Sequence, residues 1–321
     1  MKKSILILIT VGVLASACAP VISASTDNEI NSEAKPQAEV ALADSQPKAA
    51  EPNSYSIEAL RSREYGQGEL RVEYPWHNYD DFTRYYITYD SDGLNIHGFV
   101  NVPKGQGPFP VVIALHGYIP ASEYKTLDYS YRYADAIARQ GYIVLHPNMR
   151  NFPPSDSAER VRDFNTGYTV DVMNLLKYVR EEAGQKGSIF EKADLNNIGI
   201  WGHSLGGGVA LRVISLVPEI KAAVLYAAVT QRYSNESAGF TVYDLESSNT
   251  AYSVHHGTAD DTIDVSWSRR FCSQLEEMGK EHECFFYEGA PHTFFRQGED
   301  DPLFIERTIA FLDRYLKNQS Q

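Results

Sequence analysis

The sequence has few cysteines and a deficit of basic residues. Its 321 residues contain only Cys18, Cys272 and Cys284, so a single intramolecular pair is the most that they can form. Lysine and arginine together number 29 against 42 aspartates and glutamates, which gives a formal net charge of −13. Nucleic-acid binding requires a basic surface facing the phosphates, so this composition argues against a nucleic-acid partner.

The motifs of nucleotide and metal sites are also missing. No glycine-rich loop of the form G-x-x-x-x-G-K occurs, which argues against a phosphate-binding loop for nucleotides. His255 and His256 are adjacent, and neighbouring side chains on a strand point to opposite faces, so this pair is a poor set of metal ligands. We therefore expect no metal ion and no cofactor.

The N-terminal apolar segment is too short for a stable membrane span. It covers 11 residues, from Ile5 to Ala15, after a basic start, whereas a transmembrane helix needs about 20. Small residues follow the apolar segment, as they do at a cleavage site, so residues 1–18 are predicted to be a signal peptide. The alternative is an uncleaved N-terminal anchor.

The end of this segment carries a possible processing site. Residues 15–18, A-S-A-C, resemble the processing site of bacterial lipoproteins, in which the cysteine becomes the lipidated first residue. The resemblance implies membrane attachment through a lipidated Cys18, although Ala15 stands where that family prefers leucine. Ordinary cleavage at the same small residues is the alternative. In either case we expect export, to the periplasm or a membrane anchor in a bacterium and otherwise to the outside.

Beyond the signal, the chain changes character twice. Residues 19–55 are rich in Ala, Ser, Glu, Asn and Pro and predict a flexible linker. The rest, residues 56–321, carries the patterns of a folded domain. A hairpin is predicted over 84–89 and 94–102, followed by strands at 111–115, 142–145, 198–201, 222–226, 253–255 and 284–287. Helices are predicted at 129–140, 168–183, from 205 onward, at 265–278 and at 302–317. This alternation indicates an α/β fold with a mostly parallel sheet, helices on both faces and an antiparallel first edge.

One motif of this domain is typical of nucleophilic catalysis. Residues 202–206, G-H-S-L-G, match the pattern G-x-S-x-G, and they follow a predicted buried strand and open a helix. In that context the pattern describes a nucleophile elbow, a strained turn that exposes the hydroxyl of Ser204. The alternative is a glycine-rich turn in which Ser204 caps the helix.

A serine hydroxyl needs a base, and the base needs an acid that fixes its tautomer. In chain order the elbow fold places serine first, then the acid, then histidine. His292 lies on the loop after the last predicted strand and is the candidate base. Three carboxylates compete for the role of the acid after the strand at 253–255: Asp260, Asp261 and Asp264.

These motifs together resemble the α/β-hydrolase superfamily, in its prolyl oligopeptidase and dienelactone-hydrolase-like branch. Residues 256–261, H-G-T-A-D-D, resemble the family segment H-G-T-x-D-D, whose first aspartate is catalytic. The resemblance implies an α/β-hydrolase catalytic domain over 56–321 with Asp260 as the acid. Asp261 is then expected to bond backbone donors of the loop, and Asp264 to cap the next helix.

The resemblance also implies an oxyanion hole. The segment His116-Gly117-Tyr118 resembles the family's H-G segment, which supplies the second donor. The backbone N–H of Leu205 would be the first donor, and the N–H or phenol of Tyr118 the second. Tyr118 as a wall of the substrate pocket is the alternative.

Three further expectations concern other segments. The insertion between Tyr226 and Tyr252 is predicted to be a short lid that carries aromatic residues, namely Tyr233, Phe240 and Tyr243. Arg150 is expected either to bind a substrate carboxylate or to form a structural salt bridge. Cys272, on a predicted helix, and Cys284, on the next strand, are expected to form a disulfide, with two buried thiols as the alternative.

The function expected from the residues and the resemblance is hydrolysis of a carboxylic ester through an acyl-serine intermediate. A serine peptidase of the prolyl oligopeptidase family acting on short peptides uses the same machinery and is the first alternative. An inactive binding protein on the same scaffold is the second. The expected partner is a small ester or a short peptide.

Overall fold

The computed structural model describes residues 56–158, 164–231, 242–295 and 298–317. All of them belong to one compact unit. The predicted signal peptide, Cys18 and the linker lie outside the described residues, so they stay predictions. None of the helices in the described part of the chain is both long and apolar enough to cross a membrane.

The described residues form one twisted sheet of nine strands in the order β1-β2-β3-β5-β4-β6-β7-β8-β9. The pairs β1–β2, β2–β3 and β3–β5 are antiparallel, and the others are parallel. This is the expected mostly parallel sheet with an antiparallel first edge. The strands are β1 (Leu70–Asn78), β2 (Phe82–Ser91), β3 (Leu94–Pro103), β4 (Phe109–Leu115), β5 (Ile143–Pro147), β6 (Ala193–His203), β7 (Ile220–Tyr226), β8 (Ala251–Gly257) and β9 (His282–Tyr287).

Helices cover both faces of this sheet. They are α1 (Ile57–Ser62), α2 (Tyr131–Arg139), α3 (Phe164–Glu182), α4 (Leu205–Leu216), α5 (Val265–Glu277) and α6 (Asp300–Leu316), with a short 3-10 helix at Val242–Leu245. Buried side chains of α3, α4 and α5 belong to one apolar cluster, and those of α2 and α6 to a second cluster. The two clusters occupy opposite faces, which confirms the α/β-hydrolase architecture.

Strand β4 shows why an uninterrupted apolar run suits the centre of this sheet. Val111, Ile113 and Leu115 pack into the first cluster, whereas Val112 and Ala114 pack into the second. Because successive side chains of a strand point to opposite faces, a strand covered on both sides must be apolar at every position.

Strand β1 and helix α1 were not predicted from the sequence. Strand β1 pairs with β2 at the sheet edge, and side chains in its middle, including Tyr74 at 47% exposure, face solvent. Pro75 interrupts the strand pattern, which is tolerated here because an edge strand leaves one row of backbone groups unpaired. Helix α1 is one and a half turns long, and Ser56 caps it by accepting a hydrogen bond from the N–H of Ala59 at 3.1 Å.

Arg150 has a structural role in this fold. Its Nη2 lies 2.8 Å from Oδ1 of Asp171, and the two side chains are 5% and 0% exposed. The backbone N–H of Arg150 also donates to the same carboxylate at 2.7 Å. The salt-bridge alternative is therefore the one that the structure contains.

Candidate active site

Ser204 occupies a strained turn between β6 and α4. Its φ is +52° and its ψ is −116°, a conformation that side-chain-bearing residues rarely adopt. The turn is closed by glycines: a Cβ on Gly206 would lie 2.3 Å from the carbonyl oxygen of Leu115, and one on Gly202 would lie 2.5 Å from that of Gly206. The two glycines of G-x-S-x-G are thus required because the turn has no room for a side chain at either position.

Backbone hydrogen bonds hold the strained conformation of Ser204. Its N–H donates to the carbonyl of Tyr226 at the end of β7, at 2.9 Å. Its own carbonyl accepts from the N–H groups of Gly207 and Val229, each at 3.0 Å. The side chain makes no capping hydrogen bond to α4, so the helix-capping alternative is wrong. The Ser204 side chain is almost fully buried, and its hydroxyl is available for chemistry.

Asp260 is the carboxylate that contacts His292. Its side chain is fully buried, and Oδ2 accepts a hydrogen bond from Nδ1 of His292 at 2.6 Å. Oδ1 accepts from the backbone N–H groups of Thr262 and Ile263, at 2.8 and 2.9 Å. These bonds fix the carboxylate in the orientation needed to hold the imidazole.

The other two carboxylates point elsewhere. Asp264 accepts from the N–H of Ser266 at 2.8 Å and caps α5, as expected. Asp261 was expected to bond backbone donors of the loop, but its carboxylate contacts only the hydroxyl of Thr262, at 3.3 Å. That expectation is wrong, because Asp260 takes the backbone donors with its second oxygen.

His256 is a second histidine on the same carboxylate, and sequence reasoning missed it. It is fully buried, and its Nε2 lies 2.9 Å from Oδ2 of Asp260 and 2.9 Å from the carbonyl of Ile263. Both partners are acceptors, so Nε2 carries the proton and Nδ1 accepts from the hydroxyl of Ser268 at 2.7 Å. The only signal in the sequence was its place in the H-G-T-x-D-D segment.

The environment favours the ionised form of Asp260. Burial by itself raises the pKa of this carboxyl, but hydrogen bonds from His256, His292 and the backbone of the loop outweigh that effect. The pKa of Asp260 therefore lies well below its ordinary value. A carboxylate that stays charged is suited to hold a neighbouring imidazole in one tautomer and to stabilise it when it becomes protonated.

His292 packs against His203, the residue that precedes Ser204. The ring centroids of His203 and His292 are 4.8 Å apart, and His203 immediately precedes Ser204. Within the described residues the Ser204 hydroxyl and Nε2 of His292 do not share a hydrogen bond. Such bonds are often long in the absence of substrate and tighten when substrate is bound.

The turn at residues 116–118, at the end of β4, lies against the serine. A Cβ on Gly117 would be 3.2 Å from that of Ser204 and 2.8 Å from Nδ1 of His203. Tyr118 is 60% exposed, with its ring 6.2 Å from that of Phe152. Both alternatives for Tyr118, oxyanion donor and pocket wall, are compatible with this position.

Leu205 is the first residue of α4. Its backbone N–H has no acceptor within the helix, because the first N–H groups of a helix lack intrahelical partners. The N–H therefore lies at the positive end of the helix, directly after Ser204 in the chain, where an anion is stabilised.

The remaining sequence expectations concern the disulfide, the lid and possible metal ligands. Cys272 on α5 and Cys284 on β9 form a disulfide with a Cα–Cα distance of 6.6 Å. Residues 232–241, with Tyr233 and Phe240, lie outside the described residues, so the lid stays a prediction. Tyr243, in the 3-10 helix, is 65% exposed. Groups of three or more potential metal ligands do not occur among the described residues.

Comparison with known proteins gives the family. Residues 96–315, more than half of the chain, match the model of the dienelactone hydrolase family. The chain belongs to this family. It is therefore a hydrolase of the dienelactone hydrolase type with an α/β-hydrolase fold.

Two curated proteins show similarity over part of the chain. Esterase EstD of Thermotoga maritima is 32% identical over 127 residues, which are 38% of this chain and 26% of EstD. Chlorophyllase type 0 of Chenopodium album is 28% identical over 128 residues, which are 40% of this chain and 35% of the chlorophyllase. The matched segment thus spans well under half of either relative.

Solved structures share the fold at low sequence identity. The Pyrococcus horikoshii acylaminoacyl peptidase has a TM-score of 0.61 at 15% identity, over 75% of this chain and 43% of that chain. The Pyrococcus furiosus esterase Pf2001 has a TM-score of 0.57 at 18% identity, over 73% of this chain and 93% of that chain. At these identities the likeness shows the architecture alone.

Proposed function

We propose that this dienelactone hydrolase family member is a serine hydrolase that cleaves carboxylic esters through an acyl-Ser204 intermediate. The observation that carries the proposal is the 2.6 Å hydrogen bond between the buried carboxylate of Asp260 and His292, whose ring packs against His203, the residue before a serine held at positive φ. A serine in this conformation has no structural reason to be there, since it neither caps its helix nor forms a turn that glycine would not serve better.

The reaction follows from the geometry. The carboxylate of Asp260 accepts from Nδ1 of His292, which leaves Nε2 unprotonated and able to take the proton of the Ser204 hydroxyl. The serine oxygen then attacks the ester carbonyl carbon, and the C–O bond to the alcohol breaks as His292 returns the proton to the leaving oxygen. Water, activated by the same histidine, hydrolyses the acyl-enzyme and releases the carboxylic acid.

The negative charge on the carbonyl oxygen needs donors placed in advance. The N–H of Leu205 at the start of α4 is the first donor in this proposal, and the N–H of Tyr118 in the 116–118 turn is the second. Leu205 follows Ser204 directly in the chain, and the 116–118 turn lies against Ser204 through Gly117, which supports this assignment. Removal of one such donor typically costs about 3 kcal/mol of transition-state stabilisation.

One curated relative favours an ester. EstD, which matches 38% of this chain, is named an esterase, whereas the solved structures that share the fold include both an esterase and an acylaminoacyl peptidase. Peptide amides remain the competing substrate class, because the same triad serves both. Amide cleavage additionally needs strong protonation of the leaving amine and subsites for the peptide chain.

A matched substrate panel tests this proposal. Each acyl group is presented twice, as a p-nitrophenyl ester and as the corresponding p-nitroanilide, to the wild type and to Ser204→Ala. We expect turnover of short-chain esters by the wild type alone, with kcat/KM for the ester far above that for the amide. Turnover of the anilides at a comparable kcat/KM would show that the enzyme is a peptidase rather than an esterase. Equal rates for the wild type and Ser204→Ala would overturn the proposal.

We propose in addition that the enzyme is exported and attached to a membrane through a lipidated Cys18. The Cys272–Cys284 disulfide supports export, because structural disulfides persist mainly in oxidising compartments. Expression of the full chain in a bacterial host, followed by detergent phase separation and intact-mass measurement, tests the anchor. Lipidation predicts a detergent-phase protein whose mass exceeds that of the chain from Cys18 onward, and a soluble Cys18→Ser variant. An unmodified wild type in the aqueous phase would refute it.

A further inference from the structure

A buried chain of hydrogen bonds runs behind Ser204 and uses two side chains that have no part in the triad. The backbone N–H of Gly117 donates to the hydroxyl of Tyr129 at 2.7 Å. The same hydroxyl forms a short hydrogen bond with Nδ1 of His203. On the other side of the ring, Nε2 of His203 lies 3.2 Å from the backbone carbonyl of His292. The chain therefore begins at the 116–118 turn and ends at residues 288–295, the His292 loop.

The partners fix the direction of every bond. An N–H and a carbonyl, at the two ends, can only donate and accept respectively. Because the carbonyl of His292 can only accept, Nε2 of His203 carries the imidazole proton and donates to it. In a neutral imidazole Nδ1 is then an acceptor, so the Tyr129 hydroxyl, which accepts from Gly117, donates its own proton to Nδ1. A single tautomer of a neutral His203 satisfies all three bonds.

The surroundings keep this imidazole neutral. Burial, and next the proximity of His292, lower the pKa of His203 to about 3. Burial also raises the pKa of Tyr129 well above its ordinary value. Neither group changes its charge between mildly acidic and mildly alkaline pH, so the direction of the chain is preserved while the triad works.

We infer that Tyr129 and His203 are positioning residues that couple the 116–118 turn to the His292 loop. The inference rests on the proposed function. The chain occupies the N–H of Gly117, so the oxyanion donor of this turn is the next amide, that of Tyr118. The bond to the carbonyl of His292 holds the backbone that carries the base. Two parts of the site that approach Ser204 from different strand ends thereby keep a fixed separation.

The packing around Gly117 leaves no free space beside this chain of hydrogen bonds. A Cβ on Gly117 would lie 2.8 Å from Nδ1 of His203 and 2.9 Å from the Tyr129 hydroxyl. The rings of Tyr129 and His203 also pack edge to face, with centroids 5.2 Å apart. A displacement of either ring is therefore transmitted to the turn, and displacements near 1 Å at a reacting centre can cost about 100-fold in rate.

Tyr129→Phe is the variant that tests the inference, since it keeps the ring and removes only the bridging hydroxyl. Tyr142→Phe is the matched control. The Tyr142 hydroxyl also donates a hydrogen bond, to Asp313 at 2.6 Å, but it lies at the N-terminal end of β5, at the sheet edge opposite to Ser204. His203→Asn is the second variant: it keeps an acceptor near the Nδ1 position for Tyr129 and removes the donor to His292.

The readouts are kcat and KM on a p-nitrophenyl ester, the rate of labelling by a fluorophosphonate, and Tm. For Tyr129→Phe we expect kcat and the labelling rate to fall about 10- to 100-fold with KM changed less than about threefold. His203→Asn should show the same split, and it carries the test if Tyr129→Phe does not fold. Tyr142→Phe should lower Tm by a similar amount and leave kcat unchanged.

Four results would count against the account. A Tyr129→Phe enzyme with wild-type kcat and labelling rate overturns the positioning role and leaves the serine mechanism intact. So does a Tyr129→Phe enzyme whose kcat and labelling rate fall no further than those of Tyr142→Phe. A loss confined to KM does the same. A wild type that neither labels nor hydrolyses the ester refutes the proposed function itself, and with it the role assigned to the chain.

Discussion

The serine and its two partners are held in place by different means. At the nucleophile end, which comprises β6, Ser204 and α4, the backbone decides: glycines at 202 and 206 allow atoms to approach where any Cβ would collide. The acid–base end, which runs from β8 to the His292 loop, also has one such approach, since a Cβ on Gly257 would lie 2.2 Å from the carbonyl oxygen of Ala290, but there hydrogen bonds hold the acid and the base. There His256 and His292 share one oxygen of Asp260, and a disulfide joins the helix and strand between the two loops.

This difference has a consequence for how each end tolerates change. A substitution that violates a steric constraint disrupts the fold in one step, because the added buried atom can be accommodated only if the main chain moves. A network of hydrogen bonds fails in steps, because one lost bond leaves others in place. Substitution of the glycines at the nucleophile end should therefore reduce folding, and loss of a single hydrogen bond at the acid–base end should reduce activity first.

The largest effect is expected from Asp260→Asn. The amide keeps the shape of the side chain but presents the wrong hydrogen-bonding group to His292, so we expect kcat for ester hydrolysis to fall about 10⁴-fold. Asp261→Asn is the control, since its carboxylate touches only Thr262, and it should retain most of the wild-type kcat. Steady-state kinetics of the two purified variants decide, and near-equal activity of both would mean that the acid has been assigned to the wrong residue.

The next largest effect is expected from Gly206→Ala at the nucleophile end. The added Cβ would lie 2.3 Å from the carbonyl oxygen of Leu115, so main chain must move, at a cost of about 3 kcal/mol or more. Gly208→Ala is the milder counterpart, with its nearest atom, the carbonyl oxygen of Val229, at 3.0 Å. Urea unfolding measures both, and a Gly206→Ala protein as stable as Gly208→Ala would contradict the steric account.

Loss of the disulfide should act on stability before activity. The bonded cysteines are 12 positions apart, and closing a loop of that length is worth about 3 kcal/mol in the chain-entropy model. The double variant Cys272→Ala, Cys284→Ala should therefore have a Tm lower by about 6–12 °C, and kcat at low temperature close to that of the wild type. Calorimetry of the variant tests this. An unchanged Tm would show that packing alone holds α5 against β9.

The smallest effect expected is a pH dependence of stability. The pKa of Asp260 is lower in the folded state than in the unfolded chain, where it has its ordinary value. The ionised carboxylate therefore stabilises the fold at pH values above that ordinary pKa, and this stabilisation is lost as the pH falls from the ordinary pKa towards the lowered one. Between about pH 5 and pH 3 the wild type should lose more stability than Asp260→Asn, which has no carboxyl to protonate there. Parallel losses in urea unfolding at the two pH values would mean that this carboxyl titrates normally.

Patterns local in the sequence predicted most of the fold. The apolar runs at 111–115 and 198–201 became the central strands, and G-x-S-x-G placed the elbow between a strand and a helix. The resemblance of residues 256–261 to a family segment singled out Asp260 among three aspartates. Its contact with His292, 32 positions away, became visible only in the fold.

The features that were missed depend on contacts between distant residues. The Tyr129–His203 bond joins positions 74 apart, and nothing near either residue indicates it. His256 was considered only as a poor metal ligand, and its bond to Asp260 depends on a loop that bends back over four residues. Strand β1 was missed although Leu70, Val72, Tyr74 and Trp76 alternate with polar residues, because Pro75 interrupts the pattern and argues against a strand.

Mapping of a fluorophosphonate adduct tests the central claim most directly. The mature protein, Ser204→Ala and His292→Ala are treated with the reagent, digested, and analysed by peptide mass spectrometry. The account predicts one adduct in the wild type, on the peptide that contains Ser204, no adduct in Ser204→Ala, and strongly slowed labelling in His292→Ala. A wild type that stays unmodified, or an adduct that forms elsewhere at the same rate in all three proteins, would contradict it.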